Sequence, residues 1–180
     1  DPTFDADFAY FLGFETITIA AVNGAAAGVG LVIACWCDIR IVAEDAKLTT
    51  AHGKLNLPAE YGLSWMLPKI MGLGRANDLL LTSRVFTSNE AQELGFVNQL
   101  FSVEELLSKC YEYARNLIRT VSPNSLRETR WQIYRDLHRD VAASVTDSER
   151  LINEMVKEED FREGVAALVE KRSPEWPSMK

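Results

Sequence analysis

Hydrophobic positions near the start of this chain come in short blocks rather than long periodic runs. Ile17-Thr-Ile-Ala-Ala-Val22 is brief, rich in strand-forming residues and closed by Asn23-Gly24, which predicts a buried strand. From Gly28 to Cys37 the chain is almost wholly apolar and opens on glycines, which predicts a buried helix. Asp38-Ile-Arg-Ile-Val-Ala43 then alternates like a second strand. Strand, glycine turn, helix and strand make a βαβ unit, which implies parallel pairing and a right-handed crossover. Residues 1–15 are weakly patterned, with Phe4, Phe8, Phe11 and Leu12 placed to line one side of a helix.

Further on, residues 50–62 collect loop formers: Gly53, Asn56, Pro58 and Gly62. A helix is expected over Leu63–Met71, ended by Gly72 and Gly74, and another over Arg75–Leu81. Thr87-Ser-Asn-Glu90 fits a capping box ahead of a short helix that stops at Gly95, and Phe96–Leu100 fits a short strand. Ser102-Val-Glu-Glu105 is a second capping box. Behind it Val103, Leu106, Leu107, Cys110, Ala114, Leu117, Ile118 and Val121 follow helical spacing. Ser122-Pro123 opens a further helix with Pro at its first position, and Leu137–Val156 and Phe161–Val169 read as helices too. The expected architecture is an α/β core over residues 1–121 followed by a helical region over 122–180.

A length of 180 residues suits one domain with a real core, or a domain with a short extension. The net charge of -7, without a basic run, argues against nucleic acid or an anionic membrane as the main partner. An anionic ligand would need local positive potential from backbone N–H groups or a few placed Lys and Arg. Three cysteines, Cys35, Cys37 and Cys110, are too few and odd in number for a disulfide framework, and point to a reducing, intracellular compartment. Cys35-Trp36-Cys37 lacks the companions a zinc site needs and is expected to hold buried, inert thiols. No metal site is expected. The most apolar stretch, Ile17 to Cys37, is broken by Asn23, Gly24, Gly28 and Gly30, so no membrane span is expected. The acidic start DPTFDADFAYF lacks the basic region of a secretion signal.

Candidate chemistry centres on Asn23-Gly-Ala-Ala-Ala-Gly-Val-Gly30. Small residues let a ligand approach the backbone closely. The helix N-terminus that follows offers unpaired N–H groups and the positive end of a dipole. Such a turn suits an anion or a developing oxyanion. No Gly-Lys-Ser/Thr follows, so it is not a phosphate-binding P-loop. Taken alone, the same residues serve equally well for tight strand–helix packing.

AAVNGAAAGVG followed by ACWCDIRIVAEDAKLTT resembles the signature of the crotonase (enoyl-CoA hydratase/isomerase) family in order, spacing and composition. PAEYGLSWMLPKIMGLGRANDLLLTSRVFTSNEAQELGFVNQLF resembles the family's next block, and DFREGVAALVEKR its C-terminal helix. The resemblance implies a spiral of ββα units with a C-terminal helical region that drives trimer formation. It also implies an acyl-coenzyme A thioester as the bound partner, no separate cofactor beyond the coenzyme A of the substrate, and a homotrimer or hexamer. By resemblance, the backbone N–H of Val29 is one half of an oxyanion hole for the thioester carbonyl, and the other donor belongs to an earlier strand absent from this sequence. Family members often carry glycine at the Val29 position, but a backbone donor tolerates the change.

The two glutamates of family hydratases fall here on Val32 and His52, which disfavours two-glutamate hydration. Leu57-Pro-Ala-Glu60-Tyr-Gly62 instead resembles the L-x-x-E-x-G of family Δ3,Δ2-enoyl-CoA isomerases, in which one carboxylate shuttles a proton between two carbons. Glu60 is therefore the expected base and Val29 the expected oxyanion donor. Ala25, Ala27, Gly28, His52 and Leu57 are expected around the substrate, and Lys171, with Arg172, near the nucleotide end of coenzyme A. The expected activity is a double-bond shift in an enoyl-CoA. Hydration, or a catalytically inactive interaction subunit that keeps the fold, are the alternatives. Asp38 reads as structural, bonding backbone N–H groups. His138 is expected on a polar helix with Arg135 and Arg139. Ser64 and Ser83 lack a nucleophile-elbow setting. Trp65, Met66 and Leu67 read as core or acyl-pocket lining.

Overall fold

A computed structural model describes residues 4–179. They divide into two compact units, residues 4–111 and 112–179, with the division inside one long helix.

The first unit is built by a repeated alternation between two small sheets. Strand β1 (Ile19–Val22) lies in the first sheet and β2 (Ala26–Ala27) in the second, followed by helix α1 (Val29–Trp36). Strands β3 (Ile39–Ala43) and β4 (Lys47–Thr49) repeat the step, followed by α2 (Leu63–Met71) and α3 (Leu73–Thr82). Strand β5 (Phe86–Thr87), helix α4 (Ser88–Glu93) and strand β6 (Gln99–Phe101) complete the set. This is the expected ββα spiral. The first sheet runs β1-β3-β6, all parallel, with Ile19 opposite Ile39 and Val42 opposite Leu100. Its central strand is apolar on both sides, as a parallel strand covered on both faces requires: Ile41, Val42 and Ala43 are all buried. The second sheet runs β2-β4-β5 and is antiparallel only at its last pair.

One cation sits inside this core. The Arg40 guanidinium donates to the carbonyls of Phe96 at 2.7 Å and Cys37 at 2.5 Å, and stacks over the Phe96 ring. It fastens β3 to the segment entering β6, because the burial of a charge is tolerable only with such partners. Thr87 caps α4 by accepting from Glu90 N–H. The Glu90 carboxylate, rather than reaching back to Thr87, pairs with Arg84, which also pairs with Asp78.

Helix α5 (Val103–Thr120) leads into the second unit, where α6 (Pro123–Asp136), α7 (Val141–Met155) and α8 (Glu159–Glu170) follow. Ser122 and Asp140 cap α6 and α7. Buried Asp160 ties this unit together. Its carboxylate accepts the hydroxyls of Ser122 and Ser178 at 2.6 Å each and the Ser178 N–H at 3.0 Å. Burial raises its pKa, but these hydrogen bonds outweigh burial and hold it below the usual carboxylate range.

Several sequence expectations are corrected. Gly72 ends α2 with φ +83, but Gly74 lies inside α3, which starts at Leu73. Among the described residues the upstream aromatic segment holds a 3-10 turn, Ala9–Gly13, in place of one continuous helix, and Phe8 at φ +65 breaks the helical path just ahead of it. The strand expected over Phe96–Leu100 pairs only from Gln99, while Phe96 and Val97 are buried loop residues. His138 follows the end of α6 in a turn rather than standing on a helix. The second sheet, made of two- and three-residue strands, had no counterpart in the sequence pattern.

Candidate active site

The small-residue turn is fixed by the second sheet. Ala26 pairs with Leu48 and Ala27 with Thr49, and the Gly28 N–H donates to Thr49 O at 3.2 Å, one step beyond the strand. Strand alternation buries Ala26 and leaves Ala25 and Ala27 exposed on the opposite side. Gly28 then turns the chain into α1 with φ +51 and ψ -123, a conformation essentially reserved for glycine. Val32 N–H bonds Gly28 O at 3.0 Å. Among the described residues the N–H groups of Val29, Gly30 and Leu31 remain the open donors of the first turn. Val29 and Gly30 are exposed and Leu31 is buried, so the first two are the ones a ligand can reach.

Glu60 faces this turn. Its Oε2 lies 4.0 Å from where a Cβ on Gly28 would stand. The side chain is half-buried, and the Glu60 carbonyl accepts Leu63 N–H at 2.9 Å, which starts α2. The next two residues are both left-handed, Tyr61 at φ +48 and Gly62 at φ +75. The buried indole of Trp36 donates to Tyr61 O at 3.0 Å. Gly62 packs directly on the same ring, so close that a Cβ there would meet Trp36 Cζ2 at 2.8 Å. Trp65 stacks on Trp36 with centroids 6.1 Å apart, and Phe8 packs on Tyr61. The upstream end of the loop is tied to α3. Buried Ser83 Oγ accepts the Gly53 N–H at 2.9 Å and lies 3.1 Å from Thr50 Oγ1.

The structure thus gathers Val29, Gly28 and Glu60, with Ala25 and Ala27 on the adjoining strand. Leu57 is exposed in the loop ahead of Glu60. Val32 is buried in the core at 1% exposure and carries no titratable group. His52 opens a 3-10 turn, His52–Leu55, and is only 6% exposed, with a buried Nδ1 that has no hydrogen-bond partner. Lys171 belongs to the second unit, where it is the exposed, left-handed cap of α8, while neighbouring Arg172 is paired with Glu163 and Glu170. Asp38 accepts the Thr18 N–H and hydroxyl at 2.7 and 2.8 Å, a structural role. Met66 and Leu67 are core, and Trp65 is half-buried against Trp36. All three cysteines are buried and outside any disulfide, and burial pushes the Cys35 thiol up to about 12. Trp36 and Tyr61 shape the site without having stood out in the sequence, and Ser83, set aside there as a nucleophile, holds the loop instead. The available signal was a glycine placed two residues after the carboxylate, with a lone indole at the end of an otherwise aliphatic helix.

Among the described residues no three His, Cys, Asp or Glu side chains come together as metal ligands, and no helix is long and apolar enough to cross a membrane. The arrangement offers backbone donors for a developing negative charge, with one carboxylate beside them.

A family model described as enoyl-CoA hydratase/isomerase matches residues 2–179. The 1,2-epoxyphenylacetyl-CoA isomerase of Escherichia coli is 34% identical over 172 residues, covering 88% of this chain and 60% of its own length. An enoyl-CoA hydratase of Alternaria alternata, ACTT3, is 34% identical over 164 residues, covering 88% of this chain and 54% of its own. The crystal structure of an enoyl-CoA hydratase from Bacillus anthracis superposes with a TM-score of 0.89 at 29% identity, over 94% of this chain and 65% of that one. The chain therefore spans between half and two thirds of the length of these proteins.

Proposed function

We propose, on the premise that this chain belongs to the enoyl-CoA hydratase/isomerase family, that the protein moves the double bond of an enoyl-CoA thioester, with Glu60 as the proton carrier. The observation that carries this reading is the Glu60 carboxylate set against Gly28, beside the open N–H of Val29. With the thioester oxygen at Val29 N–H, Glu60 takes a proton from C2 of a 3-enoyl-CoA. The electron pair delocalises over a dienolate whose oxygen charge the N–H stabilises. Glu60 returns the same proton to C4, and the double bond ends between C2 and C3. Protons and electrons balance within the substrate, so no separate cofactor is needed and coenzyme A enters only as part of the substrate. Lys171 is the candidate contact for the nucleotide end of a coenzyme A held by a neighbouring subunit.

The test is turnover of 3-enoyl-CoA and 2-enoyl-CoA substrates by the full-length protein and by Glu60→Gln. The substitution keeps the shape and removes the ionisable group, so isomerisation is expected to fall by about 10²–10⁴-fold with KM little changed. Hydration is a second reading, favoured by the buried, unpartnered Nδ1 of His52. It gains if Glu60→Gln keeps its activity and a His52 variant loses it. Equal inactivity of the parent and both variants would favour an interaction subunit. The exposed apolar stripe of α5, Leu107, Tyr111 and Ile118, supports assembly as a homotrimer or hexamer. A stable monomer in light scattering at micromolar concentration would rule that out.

A further inference from the structure

Helix α1 carries a site element at each end. Its first residue, Val29, presents the open backbone donor, and its last, Trp36, reaches across to the loop that holds Glu60. The two ends are seven residues apart in the chain, a span of about 10 Å along a helix axis. A short helix is stiff over that length, so the separation between donor and carboxylate is set by whatever joins the Glu60 loop to its far end.

That joint has three parts. Trp36 Nε1–H donates to Tyr61 O, the carbonyl of the residue directly after Glu60. Gly62 lies against the benzo ring of the indole, where its lack of a Cβ permits the close approach. Trp65, two residues beyond Leu63 in the next helix, stacks on the Trp36 ring and closes the cluster. Tyr61 and Gly62 are both left-handed, a pairing the chain does not adopt without support. The indole is 4% exposed, so water does not compete for its proton. Only tryptophan combines a ring of this size with an N–H at its edge. Phenylalanine would fill most of the space and leave Tyr61 O without its donor.

We infer that Trp36 is a positioning residue for Glu60, holding the Tyr61–Gly62 turn to the end of α1 so that the carboxylate stands at a fixed place beside Gly28. This rests on Glu60 being the base. Trp36 touches no reacting atom. Its contribution is geometric, and loss of such placement falls on the chemical step rather than on binding.

The experiment compares Trp36→Phe, Glu60→Gln and the double variant in the full-length protein, each assayed well below the onset of its own cooperative unfolding transition. Trp36→Phe is expected to lower kcat by about 10- to 100-fold, the scale of a misplaced catalytic group, while KM moves less than about 2-fold. In the Glu60→Gln background the same change is expected to have no further effect, because there is no base left to place. An equal loss in both backgrounds would mean a general structural role and would overturn the inference. So would an unchanged kcat in Trp36→Phe when Glu60→Gln is inactive, which leaves the Glu60 reading intact. Full activity of Glu60→Gln alone would overturn the base assignment and this inference with it. An independent measurement needs no variant to fold well. The indole N–H resonance of Trp36 in the unaltered protein is expected to resist exchange with deuterated solvent, and exchange as fast as that of an exposed indole would overturn the joint.

Discussion

The two halves of the candidate site are ordered by different means. The turn over residues 25–30 is held by backbone alone: a two-residue strand, one further bond from Gly28 to Thr49, and the first bond of α1. The loop over residues 50–62 has no ladder. It is held by side chains from elsewhere, Ser83 at one end and Trp36 at the other. Between those ties the loop carries four non-glycine or glycine residues with positive φ: Ala51, Asn56, Tyr61 and Gly62. A backbone donor needs only the correct chain path, so its side chain is free to vary. A carboxylate must be aimed, and aiming takes neighbours that were not coded next to it in the chain.

The contrast breaks most severely at Gly28. Gly28→Ala forces an L-residue into φ +51 and ψ -123, and the turn relaxes at the expense of the Val29 donor. Turnover is expected to fall by about 10²–10³-fold, the worth of one oxyanion donor, measured as kcat on an enoyl-CoA substrate. Ser83→Ala acts on the loop instead. It removes the acceptor of the Gly53 N–H and the neighbour of Thr50, so thermal or urea unfolding should show a loss of about 1–3 kcal/mol. His52→Gln is expected to lower turnover by less than about 10-fold, because a single carboxylate suffices for the proposed proton transfer. A larger loss would move the chemistry to the histidine. Val29→Ala is expected to be the mildest. It leaves the N–H in place, so kcat should stay within about 3-fold of the parent, well under the effect of losing a true donor.

How much of this was legible in the sequence follows the same division. The β1–α1–β3 unit was readable because its apolar blocks are bounded by Asn23-Gly24 and Asp38, and local pattern suffices for that. Helix α2 begins and ends at Leu63 and Met71, where the loop formers before it and Gly72 after it place its limits. The Thr87 cap was likewise a local signal. The second sheet was not readable. Ala26–Ala27 and Phe86–Thr87 are too short to show a period of two, and they are strands only because Leu48 pairs with both sides across the chain. The place of Glu60 came from likeness to a family, and its proximity to Gly28 belongs to tertiary structure. The joint through Trp36 was hidden for a further reason. Within Cys35-Trp36-Cys37 the indole reads as one more buried apolar group, and nothing local reveals that its N–H points to a carbonyl distant in the chain.

The stacked indoles of Trp36 and Trp65, with planes 14° apart and the Lys69 ammonium 3.9 Å from the centre of the Trp65 ring, make this region a built-in optical reporter. Two parallel chromophores in fixed contact couple their transitions, and a cation over one of them shifts its emission. In variants lacking Trp131 and Trp176, near-ultraviolet circular dichroism and intrinsic fluorescence would therefore register the state of the Tyr61–Gly62 turn with no substrate or label. Loosening of that turn by heat or denaturant would appear as a spectral change ahead of any loss of helix signal.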